Sequence, residues 1–226
     1  MKVVAGPADR IVRPVRLASE VHDIILRRLM SLEIEPGDRI GVDALARELE
    51  VSQTPIREAL NQLEAQGLVV KVHLSGYRAG PQLDARQFED LCELRLLIEP
   101  AAAAKAARLM SPSELVRIRK LADRMKKPLS KDAQAAYSLF AEADARFHLA
   151  IAAASRNELL HAILAQQAVH LRLFRLRHSA RATLDALGEH DRVLEAFAAG
   201  DPDAAAAAMR SHIERASARF ADVYSS

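Results

Sequence analysis

The 226-residue chain has no tryptophan, only three tyrosines and six phenylalanines, and a single cysteine, Cys92. A lone cysteine excludes an internal disulfide and suits a reducing cytoplasm. No apolar run reaches the length needed to span a bilayer, and the N-terminus has no apolar segment of the signal-peptide kind. The expectation is a soluble cytoplasmic protein with no membrane partner. Charge of one sign is also missing: the formal net charge is +2, which argues neither for nor against a polyanionic partner. Scarce aromatics and abundant alanine favour helix. Half the residues are hydrophobic, so a sizeable core is available, and the length suits one or two domains.

The stretch from Asp43 to Arg78 organises the rest. Leu45, Ala46 and Leu49 mark one apolar helix face, and a short turn follows at Glu50 and Val51. Ile56, Ala59, Leu60 and Leu63 mark a second helix at 3–4-residue spacing. Ser52 is placed to cap that helix, Pro55 falls in its first turn, and Gly67 suits the position just past its end. Leu68 to His73 reads as a strand, and Ser75-Gly76 marks a hairpin turn. Two short helices and a hairpin make a winged helix-turn-helix.

That module carries its own DNA-binding candidates. Arg57 is the only cation between Ser52 and Gln66, one helical turn beyond the N-terminal residues. Ser52, Gln53 and Thr54 lie nearer the base edges, where glutamine pairs with adenine. The wing spans His73 to Arg78 with Gly76 at its tip. Arg78 serves the phosphate backbone and His73 the minor groove or backbone. Residues 1–80 hold eleven Lys/Arg against eleven Asp/Glu, so affinity must come from where charges sit rather than from their sum.

The run SQTPIREALNQLEAQGLV (52–69) resembles the recognition helix of the GntR superfamily of bacterial transcription regulators, whose usual form is Ser-Arg-Thr-Pro-Val-Arg-Glu-Ala-Leu. Two positions depart from it. Gln53 stands where many members carry arginine, which argues against direct guanine reading there. Glu50 stands where glycine is common, so a non-glycine residue must end the first helix. The resemblance implies a dimer on a pseudo-palindromic double-stranded operator.

Around this module the chain divides into an arm (1–18), the winged domain (19–80) and a C-terminal domain (81–226). The arm carries Lys2, Arg10, Arg13 and Arg16 against Asp9; it reads either as a backbone-touching basic arm or as a solvated tail. Ser19 is placed to cap a helix with Val21, Ile24, Ile25, Leu29 and Leu32 on its apolar face, ended by the turn Pro36-Gly37-Asp38. Beyond the Ala79-Gly80-Pro81 linker no strand pattern occurs. Helices are predicted over 86–109, 114–126 (capped by Ser113), 132–154, about 157–178, 181–199 and 202–224. At the last junction Gly200, Asp201 and Pro202 serve as C′, N-cap and first helical residue. The fold class is mainly α: a winged helix-turn-helix followed by an all-α six-helix bundle.

Asp144 and His148 are four apart on one predicted helix, so both side chains share a face and can chelate one metal ion. His190 and His212 fall on two later helices that can project into the same core. Spacing alone also allows plain capping and salt-bridge roles. Three imidazoles and a carboxylate suit Zn²⁺, Ni²⁺, Mn²⁺ or Fe²⁺ without choosing among them, and zinc is the first candidate.

Residues 86–220 resemble the ligand-sensing domain of the FadR-type branch of the same superfamily, through ELRLLIEP (93–100), DARFHLAIAAASRN (144–157) and EHDRVLEAFAAGDPDAAAAAMRSHI (189–213). The resemblance implies that Asp144, His148, His190 and His212 bind a metal; six helices match its VanR-like subgroup. It also implies that Arg95 holds the carboxylate of a small organic or sugar acid. The competing reading of Arg95 is an i, i+4 ion pair with Glu99. Asn157 reads as an effector contact or a helix N-cap. His161, His170 and His178 read as surface or core residues, and Arg172, Arg175 and Arg177 as a solvated face or dimer contact. The functional expectation is a repressor released from DNA by its effector, with no catalytic residue. The alternative is a hydrolase-like metalloenzyme on the same Asp/His set, which would need a general base that the sequence does not place beside it.

Overall fold

The computed structural model describes residues 15–126, 130, 132–166 and 180–221. The first helix, α1 (Val15–Met30), buries Ala18, Val21, Ile25, Leu26 and Leu29. It starts four residues before Ser19, which lies exposed inside it. The apolar face continues back to Ala18, and this packing outweighs the local capping preference of serine. The helix also ends before Pro36: Leu32 takes a left-handed φ of 56° and reverses the chain.

Strand β1 (Arg39–Ile40) follows, then α2 (Val42–Glu48), α3 (Gln53–Ala65), β2 (Val69–Val72) and β3 (Gly76–Ala79). The sheet order is β1-β3-β2, antiparallel throughout, with Arg39 opposite Arg78 and Lys71 opposite Tyr77. At two residues β1 is too short to show any periodicity in the sequence. The α2–α3 turn does end on a non-glycine residue: Glu50 has φ 55°, and the Val51 N–H closes on the Ala46 carbonyl at 3.0 Å. Gly67 (φ 71°) ends α3 in the same way, with Leu68 N–H on the Leu63 carbonyl. Gly80 is required by close approach, since a Cβ there would meet the Gly67 carbonyl oxygen at 2.8 Å.

Six further helices are described beyond the linker: α4 (Ala85–Leu109), α5 (Pro112–Met125), α6 (Ala133–Ala154), α7 (Glu158–Gln166), α8 (Ala180–Ala199) and α9 (Pro202–Ala221). The predicted fourth helix is seen only over its first part; residues 167–179, with His170, His178 and the three nearby arginines, lie outside the described residues, as does most of the N-terminal arm. Ser111, not Ser113, caps α5. Its side chain accepts the Glu114 N–H and Glu114 answers to the Ser111 N–H, a reciprocal pair that leaves Pro112 at the first helical position. The last junction is as expected: Gly200 has φ 62°, and Asp201 Oδ1 accepts from Asp203 and Ala204 N–H at 3.0 Å each.

Helix α9 packs along α4 and against α8, while α6 packs on α4 and α5 and also reaches α1. The four helices α4, α6, α8 and α9 therefore surround one interior, and each supplies polar side chains to it.

Candidate metal centre and nucleic-acid interface

Helix α6 is largely apolar, with Phe140, Ala141, Phe147 and Ile151 buried. Asp144 and His148 interrupt that face and are themselves 3% and 1% exposed. His190 arrives from α8 and His212 from α9, at 1% and 3% exposure. One ligand-type atom from each of the four lies within 4.8 Å of all the others. His148 Nε2 is 3.9 Å from Asp144 Oδ2, and His190 Nε2 is 3.2 Å from Asp144 Oδ1. The rings of His148 and His212 stack at 5.1 Å, with their Nε2 atoms 3.2 Å apart.

The outer faces of two imidazoles are held by carboxylates. His148 Nδ1 lies 2.5 Å from Glu99 Oε2, and His212 Nδ1 lies 2.8 Å from Glu189 Oε2. An ionised carboxylate only accepts, so each Nδ1 carries the proton and donates it. Glu99 is itself gripped by Arg95, whose Nε is 2.6 Å from Oε1. Glu189 takes both terminal nitrogens of Arg219, at 2.7 and 2.9 Å. Burial works to raise the Glu189 pKa, but Arg219 and His212 outweigh it and hold it at about 2. Burial pushes His212 down to about 4 against the pull of Glu189, so that ring is neutral at pH 7. Tyr137 is buried, and this, with Asp144 adding to it, raises its phenol and keeps it protonated.

The Nε2 atoms of the two rings face each other 3.2 Å apart. At that distance the two nitrogens can share one proton or one cation. His190 adds a ring whose two nitrogens are buried and make no hydrogen bond. Three buried imidazoles converging with a buried carboxylate are the donor set that suits a divalent cation. The residues fit such an ion.

Arg95 stands beside this cluster at 3% exposure, with its Nη2 buried and without a hydrogen bond. The predicted pair with Glu99 is present, but inside the bundle rather than on a helix surface. The surface value of a few tenths of a kcal/mol therefore does not apply; removing one partner of a buried pair costs about 3–5 kcal/mol. Asn157 is exposed beyond the C-terminal end of α6, where its Oδ1 caps α7 by accepting the Leu160 N–H at 3.1 Å. It is not part of the buried cluster. The spacing rules missed Glu99 and Glu189 as histidine partners. A signal existed for one, since Arg219 falls seven positions after His212 on the same helix face.

In the winged module, Gln53, Thr54 and Arg57 are exposed on α3, and Ser52 occupies the N-cap position with φ −68° and ψ 164°. Ser52 makes no side-chain capping bond, in contrast to the expected role of its hydroxyl. Arg57 Nη2 donates to Gln53 Oε1 at 3.3 Å, and Gln53 Nε2 donates to Asp43 Oδ1 at 2.5 Å. Tyr77 of β3 is buried and donates to Asn61 Oδ1 at 2.7 Å, which ties the hairpin to α3. His73 is exposed in the β2–β3 turn. The tip is Leu74, 94% exposed with φ 59°, whereas Gly76 (φ 82°) opens β3. Arg78 is exposed and its Nη1 donates to the Gly37 carbonyl at 2.8 Å.

A winged helix-turn-helix joined to a helical bundle with a buried Asp/His₃ cluster defines the class: a DNA-binding regulator with a sensing domain. Residues 17–78 match the model of the bacterial regulatory proteins of the gntR family, and residues 90–215 match that of the FCD domain. The transcriptional regulator LutR of Bacillus subtilis (strain 168) is 32% identical over 206 residues, covering 80% of this chain and 90% of that protein. The Nta operon transcriptional regulator of Aminobacter aminovorans is 33% identical over 131 residues, 58% of this chain and 60% of that one. Among solved structures, E. coli McbR/YncC superposes with a TM-score of 0.73 at 20% identity, covering 92% of this chain and 98% of that one. A GntR-type regulator from Rhodococcus sp. RHA1 gives 0.69 at 22% identity, covering 90% and 96%. The chain belongs to the gntR family of bacterial regulatory proteins and carries an FCD domain. It is a DNA-binding transcriptional regulator with an effector-binding domain, and its relatives are regulators rather than enzymes, which removes the metallohydrolase alternative. No helix among the described residues is long and apolar enough to cross a membrane.

Proposed function

We propose that this regulator is a cytoplasmic repressor whose grip on DNA depends on a divalent metal and a small carboxylic or sugar acid. Asp144, His148, His190 and His212 hold the ion, with zinc ahead of nickel, manganese and iron. Bound there, the ion supplies a Lewis-acidic point for an effector carboxylate. Arg95 offers its free Nη2 to the same carboxylate, a charge-assisted bond in a dry site. The observation that carries this reading is the convergence of Asp144 with three buried imidazoles, one ligand-type atom from each within 4.8 Å of the others, with Glu99 and Glu189 on the outer sides of His148 and His212.

Residues 19–80 bind DNA and residues 81–226 sense the effector and dimerise. Ser52, Gln53, Thr54 and Arg57 enter the major groove, and His73, Gly76 and Arg78 belong to the wing. A dimer places two such modules on a pseudo-palindromic operator. Helix α6 supports a route between the two activities: it carries Asp144 and His148 and packs against α1, where Arg146 Nη2 is 3.9 Å from Asp23 Oδ2.

Elemental analysis of protein dialysed at neutral pH, paired with thermal denaturation in added Zn²⁺, tests the site. Wild type is expected to hold one ion per chain and to melt higher with metal. His148→Ala and His190→Ala are expected to lose both effects. Stoichiometric metal in both variants, or none in the metal-supplemented wild type, refutes the reading.

A further inference from the structure

We propose that Asp43 is a specificity-determining residue: it fixes the Gln53 amide in one orientation, so that Asp43, Gln53 and Arg57 act as one unit that reads adenine and rejects guanine. The proposal rests on the reading above that α3 enters the major groove.

The chemistry of the three side chains leaves one arrangement. Asp43 comes from the first turn of α2 and Gln53 from the first residue of α3, so the contact bridges the two helices. The Asp43 carboxylate accepts only, and the Arg57 guanidinium donates only. Gln53 must therefore turn Nε2 toward Asp43, at 2.5 Å, and Oε1 toward Arg57, at 3.3 Å. A flipped amide would set oxygen against carboxylate and N–H against N–H. Glutamine is thus held from both sides, and each end keeps one more bond to give: one N–H and one lone pair.

Adenine presents an acceptor, N7, beside a donor, the N6 amino group, and one N–H with one lone pair matches it. Guanine presents two acceptors, N7 and O6. It would need a second donor where Gln53 holds Oε1, so its O6 would meet the amide oxygen that the Asp43 contact keeps turned toward that side. An exposed carboxylate near DNA also repels phosphate, so Asp43 lowers affinity for every sequence while sharpening the choice of base. A role confined to the first turn of α2 would affect stability without affecting base choice.

The test is selection from a random duplex pool with the full-length wild type, Gln53→Ala and Asp43→Asn. Anisotropy titrations at fixed salt then follow on the selected duplex and on its single A→G variant. All three residues are exposed, and melting curves confirm that each variant is folded. The position is the one whose preference Gln53→Ala abolishes. There the wild type is expected to prefer A·T over G·C by about tenfold or more. Asp43→Asn is expected to lose most of that preference and to bind non-selected duplex more tightly than wild type does. An unchanged A/G ratio in Asp43→Asn overturns the role of Asp43 while leaving DNA reading by Gln53 in place. No position altered by Gln53→Ala overturns the whole unit. A wild type that selects no sequence overturns the DNA-binding reading as well.

Discussion

Glu99 Oε2 sits 2.5 Å from His148 Nδ1, although the two residues are forty-nine positions apart and on different helices. The same carboxylate takes Arg95 through its other oxygen at 2.6 Å. One buried side chain thus sets the tautomer of a candidate metal ligand and neutralises the guanidinium that would meet the effector.

Glu99→Gln leaves Arg95 buried without its carboxylate, so it is expected to cost stability and to lose metal affinity by about 10- to 100-fold, because an amide holds the imidazole with less charge. Competition with a chelating dye checks it. Affinity equal to wild type would show that Glu99 does not support the ligand.

Arg95→Ala leaves Glu99 buried without its guanidinium, so it is expected to cost stability as well as effector response, by about 3–5 kcal/mol. Arg95→Ala/Glu99→Gln is expected to recover part of that loss, since neighbouring sites are not additive. Urea denaturation of the two single variants and the double variant measures the coupling. Simple additivity would mean that the buried pair does not act as a unit.

Glu50 holds a left-handed φ of 55° at the turn between α2 and α3. A non-glycine residue there carries a steric cost of about 1–2 kcal/mol, part of which glycine returns through its looser unfolded chain. Glu50→Gly is expected to stabilise by about 0.5–1 kcal/mol and to raise Tm by a few degrees. A lower Tm by calorimetry would show that the glutamate side chain contributes more than its backbone strain costs.

Glu114 accepts from both terminal nitrogens of Arg156, at 2.6 and 2.8 Å, and closes the cap of α5. Arg156, then Ser111, hold its carboxyl at about 2, below the usual carboxylate range. A folded-state pKa below the unfolded one gives stability that is present above the unfolded value and lost as pH falls toward the folded one. The window is therefore from about 4.5 down to about 2. Arg156 is half exposed, so solvent screening keeps the contribution small. The stability gap between wild type and Glu114→Gln is expected to close across that window in pH-resolved urea titrations. A gap that widens toward low pH would reverse the sign of the effect.

Arg57→Ala is expected to weaken operator binding at least tenfold with no change in Tm, because its side chain is exposed and bonds only to exposed Gln53 among the described residues. Anisotropy at fixed salt reads it. Undiminished affinity would remove Arg57 from the interface.

Local rules reached a long way in this chain. The α3 face, the glycine turn at Gly67, the Gly200-Asp201-Pro202 junction and the shared face of Asp144 and His148 all follow from periods and caps within one or two turns. They are visible because helix geometry sets what lies three or four residues away. Local rules failed where two of them competed. Ser19 is a good cap but sits inside α1, because burying Ala18 outweighs it. Ser113 yields to Ser111, where a reciprocal partner at Glu114 completes the cap.

Tertiary structure alone decided the rest. No spacing says that His190 and His212, on separate helices, turn inward to meet the α6 pair. Nor does any spacing say that Glu99 and Glu189 stand behind two of the rings. Arg95 and Glu99 show the division most clearly. Their i, i+4 pairing was legible from helix geometry, but whether the pair lies in water or in the core depends on α6 and α9 packing over α4. That packing changes a surface ion pair of little consequence into a buried one that orients His148.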